Sequence, residues 1–135
     1  MADTPPKAEG GEMTQTVRHQ ISLVGFGEAG QAFAGGWPDK NSLHLRSFDL
    51  KASSPALQEA AYRLGVALSG QAAAAVAQAD AVFCLVTADQ ALIAAQTAAP
   101  RLKKGALWMD GNSCAPSTKR RAAEVIEAAG GRYVD

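Results

Sequence analysis

Residues 81–86 read Ala-Val-Phe-Cys-Leu-Val, a run that is apolar at every position. A strand with one face in water alternates apolar and polar side chains, so this run predicts a strand that is covered on both faces. Strands of that kind occur in the centre of parallel sheets, between two layers of helices. The run therefore favours an α/β fold.

Strand and helix patterns alternate along most of the chain, with short connections. The predicted strands cover residues 21–24, 43–48, 66–68, 81–86 and 106–109, and a sixth strand starts at 132–135. The predicted helices cover residues 28–34, 55–64, 71–78, 89–99 and 116–129. This alternation predicts an α/β doubly wound parallel sheet, the Rossmann fold, of about six strands with the last one truncated.

A chain of 135 residues suits one domain with a real core. Residues 1–20 are charged and proline-containing and lack the apolar centre of a signal peptide, so we expect a disordered leader there. Residues 21–135 are then the single folded domain.

Charge and composition exclude several function classes. Thirteen basic residues balance thirteen acidic ones, so no strong field predicts binding to nucleic acid. No apolar stretch approaches the roughly 20 residues that span a bilayer, so no membrane partner is expected. Cys84 and Cys114 form neither a metal-ligand pattern nor a CxxC motif. Cys84 lies in the apolar run that should be buried, so no disulfide framework is expected and a reducing, cytoplasmic location is favoured.

The first predicted strand runs directly into a glycine pattern, G-x-G-x-x-G. Its members are Gly25, Phe26, Gly27, Glu28, Ala29 and Gly30. Between a buried strand and a helix, this pattern indicates a loop that holds a dinucleotide pyrophosphate. Gly25 permits the tight turn, Gly27 admits the phosphates, and Gly30 allows close packing of the helix on the sheet. A plain glycine turn is the alternative.

Asp49 ends the second predicted strand, nineteen residues beyond Gly30. A carboxylate at this position accepts hydrogen bonds from the adenosine ribose and repels a 2′-phosphate, which favours NAD slightly over NADP. A solvated loop acid is the alternative reading. Nearby side chains that could instead accept NADP are Arg46, Lys51, Ser53 and Ser54.

A second polar cluster follows the fifth predicted strand, where residues 110–116 read Asp-Gly-Asn-Ser-Cys-Ala-Pro. Ligands of open α/β sheets bind at the carboxyl ends of the strands. Asn112 and Ser113 could therefore hold a substrate carboxylate or hydroxyl. Alternatively, one of them merely caps the helix that begins at Pro116.

Four segments together resemble the β-hydroxyacid dehydrogenase family, which includes 6-phosphogluconate and 3-hydroxyisobutyrate dehydrogenases. They are the glycine loop, the strand at residues 82–87 running into Asp89, residues 110–116, and residues 130–135. The third segment is similar to the family's substrate-loop motif, D-x-S-T-x-x-P. The resemblance extends from residue 21 to residue 135.

The resemblance implies an NAD(P)-dependent oxidoreductase that transfers a hydride between the cofactor and a small hydroxyacid. It puts all six residues of the glycine loop around the pyrophosphate. Val86 and Thr87 would lie beside the ribose and adenine side of the cofactor. Asn112 and Ser113 would lie near the nicotinamide and the substrate. The Asn-Ser pair in place of Ser-Thr leaves the substrate undefined.

The family's catalytic lysine lies on a helix beyond the sixth strand, so the resemblance assigns no catalytic residue within this chain. Lys103, Lys104 and Lys119 do not match it and are interpreted as solvated surface charges. We therefore expect the chain alone to bind a dinucleotide without turnover. Dimerisation is expected only with the family's helical C-terminal domain.

Two other functions fit parts of the pattern. An S-adenosylmethionine-dependent methyltransferase also combines a glycine loop with an acid after the second strand. A non-catalytic regulatory module that binds a dinucleotide is the other alternative.

Overall fold

In the computed structural model, which describes residues 18–135, six strands form one parallel sheet. They are β1 (His19–Val24), β2 (Leu43–Phe48), β3 (Ala67–Ser69), β4 (Ala81–Cys84), β5 (Leu107–Asp110) and β6 (Arg132–Val134). Their order across the sheet is β3-β2-β1-β4-β5-β6, and every neighbouring pair is parallel. The predicted doubly wound sheet is confirmed.

Five α-helices connect the strands. They are α1 (Glu28–Gly36), α2 (Pro55–Leu64), α3 (Ala72–Val76), α4 (Ala91–Ala98) and α5 (Pro116–Ala128). Short 3₁₀ turns cover Lys40–Ser42, Ala88–Gln90 and Ala99–Arg101. Within the described part of the chain, no helix is both long enough and apolar enough to cross a membrane.

The core consists of two hydrophobic clusters, one on each face of the sheet. The α1/α2 cluster contains side chains of those two helices with Ile21 and Leu23 of β1. The α3–α5 cluster contains side chains of the other three helices with Val24 of the same strand. Because successive residues of a strand point to opposite faces, this division puts helices on both sides of the sheet.

The apolar run of β4 is divided between the same two clusters. Val82 and Cys84 are fully buried in the α3–α5 cluster, whereas Ala81 and Phe83 pack against the α1/α2 cluster. The prediction that both faces of this strand are covered is confirmed. The regular strand ends at Cys84, two residues before the predicted end, because the N–H of Leu85 makes the last hydrogen bond to β1 and the N–H of Val86 bonds to a side chain instead.

Several element boundaries differ from the predicted ones. β1 begins at His19, inside the predicted leader, while residues 1–17 lie outside the described residues. α3 covers only Ala72–Val76, a shorter span than the predicted 71–78. Pro100 does not stop a helix on its own, since it lies within the 3₁₀ turn Ala99–Arg101 that follows α4.

The sheet order determines where a site can form. The chain moves outward from β1 to β3, crosses back through α3, and continues outward on the other side from β4 to β6. The connections after β1 and β4 therefore diverge and leave a crevice at the carboxyl edge of the sheet. This crevice is the general ligand-binding position of doubly wound folds.

Candidate functional site

Gly25 makes the turn that follows β1. Its φ of +100° lies in a region that other residues rarely adopt. Its N–H donates to the carbonyl oxygen of Phe48, at the end of β2, over 2.8 Å. A Cβ at this position would overlap the carbonyl oxygen of Leu85. Both the conformation and the available space therefore require glycine.

Gly30 and Gly27 have different surroundings. A Cβ on Gly30 would overlap the carbonyl oxygen of Gly25, so the glycine lets α1 pack against the loop itself as well as against the sheet. Gly27 is exposed, has an ordinary φ of −82°, and would place a Cβ with no protein atom within 4 Å. The space in front of Gly27 is therefore open to a ligand.

The same loop forms the N-terminus of α1. Gly27 is the N-cap, and no side chain caps this end of the helix within the described residues. The N–H groups of the first turn have no partner inside a helix, so they point outward and favour an anion. Glu28 and Ala29 are exposed, whereas the side chain of Phe26 is fully buried. The side chain of Phe26 therefore does not face the ligand space, and its carbonyl oxygen accepts from Nε2 of Gln31 over 3.1 Å.

Asp49 lies beside this loop at the end of β2. Its Oδ2 accepts the N–H of Phe26 over 2.7 Å, and its Oδ1 accepts the N–H of Lys51 over 2.8 Å. The guanidinium of Arg46 donates instead to Oε1 of Gln20 over 2.5 Å. Gln20 lies near the start of β1, so Arg46 is held away from the carboxyl edge. Lys51 and Ser53 remain exposed near Asp49.

Val86 and Thr87 follow β4, on the side of β1 opposite to β2 and Asp49. The N–H of Leu85 donates to the carbonyl oxygen of Val24, which continues the β1–β4 pairing by one step. The next N–H, that of Val86, donates to Oδ1 of Asn112 over 2.8 Å. Thr87 is exposed and Val86 half-buried.

Two buried polar side chains lie where β5 ends: Asp110 is its last residue and Asn112 is in the loop that follows, and each is 6% exposed. Oδ1 of Asp110 accepts the N–H of Asn112 over 2.9 Å, and its Oδ2 accepts the phenol of Tyr133 over 2.6 Å. Burial and this bond to a carboxylate raise the pKa of Tyr133 well above its ordinary value. Ser113 is exposed at the same edge.

The structure thus brings the predicted site residues to one edge of the sheet but separates their roles. Ser113 and Thr87 present exposed side chains there, while the side chain of Asn112 is directed into the protein. Neither Asn112 nor Ser113 is the N-cap of α5, since that position is Ala115. The sequence places Tyr133 in the sixth strand and in the last segment of the family resemblance, but it gives no signal for the bond to Asp110.

Two further expectations concern lysines and cysteines. Lys119 is not a solvated charge, because its side chain is only 18% exposed and its Nζ lies 2.5 Å from Oδ1 of Asp135. Lys103 pairs at the same distance with Asp80.

Cys84 is fully buried, and burial raises the pKa of its thiol to about 12. No group of metal-ligating side chains occurs in residues 18–135.

Comparison with known families gives a match over nearly all of the described residues. The family described as the NAD binding domain of 6-phosphogluconate dehydrogenase matches residues 20–135. Such a match supports neither a methyltransferase nor a non-catalytic regulatory module. No curated protein matches the chain.

Solved structures of similar fold include a conserved hypothetical protein from Sinorhizobium meliloti 1021. It is 36% identical, has a TM-score of 0.80, and is matched over 88% of this chain and 41% of its own length. The Mycobacterium tuberculosis 3-hydroxyisobutyrate dehydrogenase is 21% identical with a TM-score of 0.73, over 87% of this chain and 39% of its own.

An imine reductase from Streptomyces aurantiacus is 20% identical with a TM-score of 0.69, over 85% of this chain and 39% of its own. The chain thus spans about two fifths of the length of these structures. The fold is shared by proteins named for different reactions, so the assignment depends on the family match. The chain belongs to the family of NAD-binding domains of 6-phosphogluconate dehydrogenase.

Proposed function

We propose that the crevice at the carboxyl edge of the sheet binds a nicotinamide dinucleotide with its pyrophosphate in front of Gly27. The observation that carries this proposal is the open space at Gly27, next to the uncapped N-terminus of α1. The outward N–H groups of that helical turn supply donors for phosphate oxygens, and the helix dipole adds a favourable field. The residues of the loop therefore fit the phosphates of such a cofactor.

We further propose a preference for NAD over NADP. Asp49 presents a carboxylate whose two oxygens each accept one backbone N–H and keep a further acceptor position for a ribose hydroxyl. A 2′-phosphate at the same place would meet that negative charge. Arg46, the strongest candidate for pairing with such a phosphate, is bonded to Gln20 instead.

Val86 and Thr87 are assigned to the nicotinamide half of the cofactor. This differs from the adenine side implied by the family resemblance. The reason is the sheet order, which puts β4 across β1 from Asp49. If Asp49 holds the adenosine ribose, the rest of the dinucleotide crosses the crevice toward β4 and β5. Ser113, exposed after β5, is then the candidate for contact with the substrate.

For the whole protein we propose hydride transfer between the cofactor and a small hydroxyacid. The bound dinucleotide supplies the redox chemistry. The residues of this domain bind and orient it, so that the nicotinamide is held at the β4–β5 side of the crevice. Proton transfer is assigned to no residue of this chain, as in the prediction from the sequence.

Calorimetric titration of the chain with NADH and NADPH tests the binding proposal. We expect binding of NADH and weaker binding of NADPH. In Gly27→Ala we expect at least a tenfold loss of NADH affinity, because the added methyl faces only the ligand space, and a smaller loss of stability than in Gly25→Ala, because only the N-cap preference for glycine is lost. Failure of the unaltered chain to bind either dinucleotide at millimolar concentration would refute the proposal.

A further inference from the structure

Asn112 connects the loops that follow β4 and β5. Its Oδ1 accepts the N–H of Val86 over 2.8 Å, and its Nδ2 lies 3.4 Å from Sγ of Cys84. Both partners are 26 or more residues away in the chain. The side chain is 6% exposed, so its polar atoms are satisfied within the protein.

Asn112 is itself held by a second group of contacts. Its N–H donates to Asp110, and the other oxygen of that carboxylate accepts the phenol of Tyr133 on β6. The N–H of Gly111 donates to the carbonyl oxygen of Cys84 over 3.1 Å. Hydrogen bonds therefore run continuously from β6 through the loop after β5 to the N–H of Val86.

On its other side, the segment that contains Val86 packs against the glycine loop. A Cβ on Gly25 would lie 3.0 Å from Cγ1 of Val86, besides overlapping the carbonyl oxygen of Leu85. Residues 85–86 are thus confined between the loop that faces the phosphates and the amide of Asn112. The amide of Asn112 is therefore in direct contact with the segment that lines the crevice.

We propose that Asn112 is a positioning residue for the dinucleotide, acting through the N–H of Val86 to fix residues 85–87 against its nicotinamide half. The inference rests on the proposed function and adds a role for a side chain that does not touch the ligand. Asparagine suits this position because one end of its amide accepts and the other donates. Leucine has a similar size but neither capacity.

Affinities for NADH and ADP separate positioning from a general structural role. ADP carries the adenosine and both phosphates, but no second ribose and no nicotinamide. In Asn112→Leu we expect about a tenfold weaker affinity for NADH and an ADP affinity within about twofold of the unaltered chain. Asn112→Asp keeps an acceptor for the N–H of Val86, and we expect an NADH affinity closer to that of the unaltered chain.

Amide hydrogen exchange gives a second readout that needs no ligand. The amide of Val86 should exchange faster in Asn112→Leu than in the unaltered chain, because its hydrogen-bond acceptor is gone. Exchange at Leu45 in the middle of β2, whose side chain lies in the α1/α2 cluster and which makes no hydrogen bond to Asn112 or Val86 among the described residues, should stay the same. If Asn112→Leu does not fold, Asn112→Ser replaces it, since a serine side chain is too short to reach Val86.

The outcomes distinguish the two proposals. Equal losses of NADH and ADP affinity in Asn112→Leu overturn the positioning role, as does unchanged NADH affinity or unchanged exchange at Val86. In these cases the proposed function stands, provided that the unaltered chain binds NADH. If the unaltered chain binds no dinucleotide, the proposed function fails and the positioning role fails with it.

Discussion

The N–H of Phe26 donates a hydrogen bond of 2.7 Å to Oδ2 of Asp49. The acid that follows β2 is therefore oriented by the glycine loop that follows β1. The second hydrogen bond, from the N–H of Lys51 to Oδ1, fixes the plane of the carboxylate. In the proposed binding mode, contact with the phosphates and contact with the ribose therefore depend on one shared arrangement.

Replacing Asp49 by asparagine tests this arrangement. The amide oxygen can still accept one of the two N–H groups, but the negative charge that repels a 2′-phosphate is lost. We expect NADH affinity to fall about tenfold and NADPH affinity to stay constant or rise, so that the preference is lost. Calorimetric titration with both dinucleotides measures the ratio of NADH affinity to NADPH affinity.

Asp39→Asn is the matched control for that variant. Oδ1 of Asp39 accepts the N–H of Asn41 over 3.1 Å, in the same i to i+2 geometry as Asp49 and Lys51, but before β2 and away from the crevice. The affinities of Asp39→Asn for NADH and NADPH should equal those of the unaltered chain. An unchanged NADH to NADPH ratio in Asp49→Asn would show that this acid does not select the cofactor.

Gly25→Ala should destabilise the fold rather than merely weaken binding. A positive φ and overlap with the carbonyl of Leu85 predict a loss of about 2–4 kcal/mol in the free energy of unfolding. Urea unfolding followed by the fluorescence of the buried Trp108 measures it.

Gly36→Ala is the control for Gly25→Ala, because it makes the same chemical change at the end of α1. The added Cβ would have no protein atom within 4 Å, and the φ of Gly36 is not positive. We expect unchanged stability or a gain of up to about 1 kcal/mol. Equal stability of the two variants would contradict the description of Gly25.

Tyr133 should make stability fall at high pH. Burial, with the hydrogen bond to Asp110, raises the pKa of Tyr133 above its ordinary value of 10.0, so the folded state disfavours the phenolate. The contribution of this group is complete below about pH 10 and declines as pH rises toward the folded-state pKa. Urea unfolding at about pH 9 and about pH 11 measures the decline.

In Tyr133→Phe the fall in stability between those two pH values should be smaller, since phenylalanine does not ionise. Below about pH 9 this variant should be less stable by about 1 kcal/mol, because Oδ2 of Asp110 loses its donor. Tyr62→Phe is the control, as Tyr62 is 90% exposed. A pH dependence that is identical in Tyr133→Phe and the unaltered chain would argue against this coupling.

Only one thiol of the folded chain should react with a thiol reagent. Cys84 is fully buried, and its raised pKa of about 12 leaves almost no thiolate near neutral pH. Cys114 is half-buried at the edge of the crevice. We expect one reactive thiol per native chain, two after denaturation, and none in native Cys114→Ser. Two reactive thiols in the native chain would contradict the burial of Cys84.

The sequence predicted the elements that depend on local patterns. The G-x-G-x-x-G motif, the continuous apolar run of β4 and the proline and glycine around α2 each have a physical meaning that is visible within a few residues. The boundaries of α2 were predicted as observed, since Pro55 begins it and Gly65, with a φ of 71°, ends it. The family resemblance is supported by the match to residues 20–135.

The parts that could not be predicted depend on contacts between distant residues. The sequence neighbourhood of Asn112 suits both a ligand contact and a helix cap. Its actual hydrogen bond joins it to Val86, 26 residues away. The pairing of Lys119 with Asp135 is equally non-local, and it turns an apparent surface charge into a largely covered one.

The division of each central strand between two clusters has a consequence for cooperativity. Val24 of β1 completes the α3–α5 cluster, and Phe83 of β4 packs against the α1/α2 cluster. Neither β1–β3 nor β4–β6 can thus exclude water from its core unless β1 and β4 are joined. A dinucleotide bound across the β1–β4 pair should therefore raise the free energy of unfolding of all six strands together. Its binding energy is lost as soon as β1–β3 separate from β4–β6.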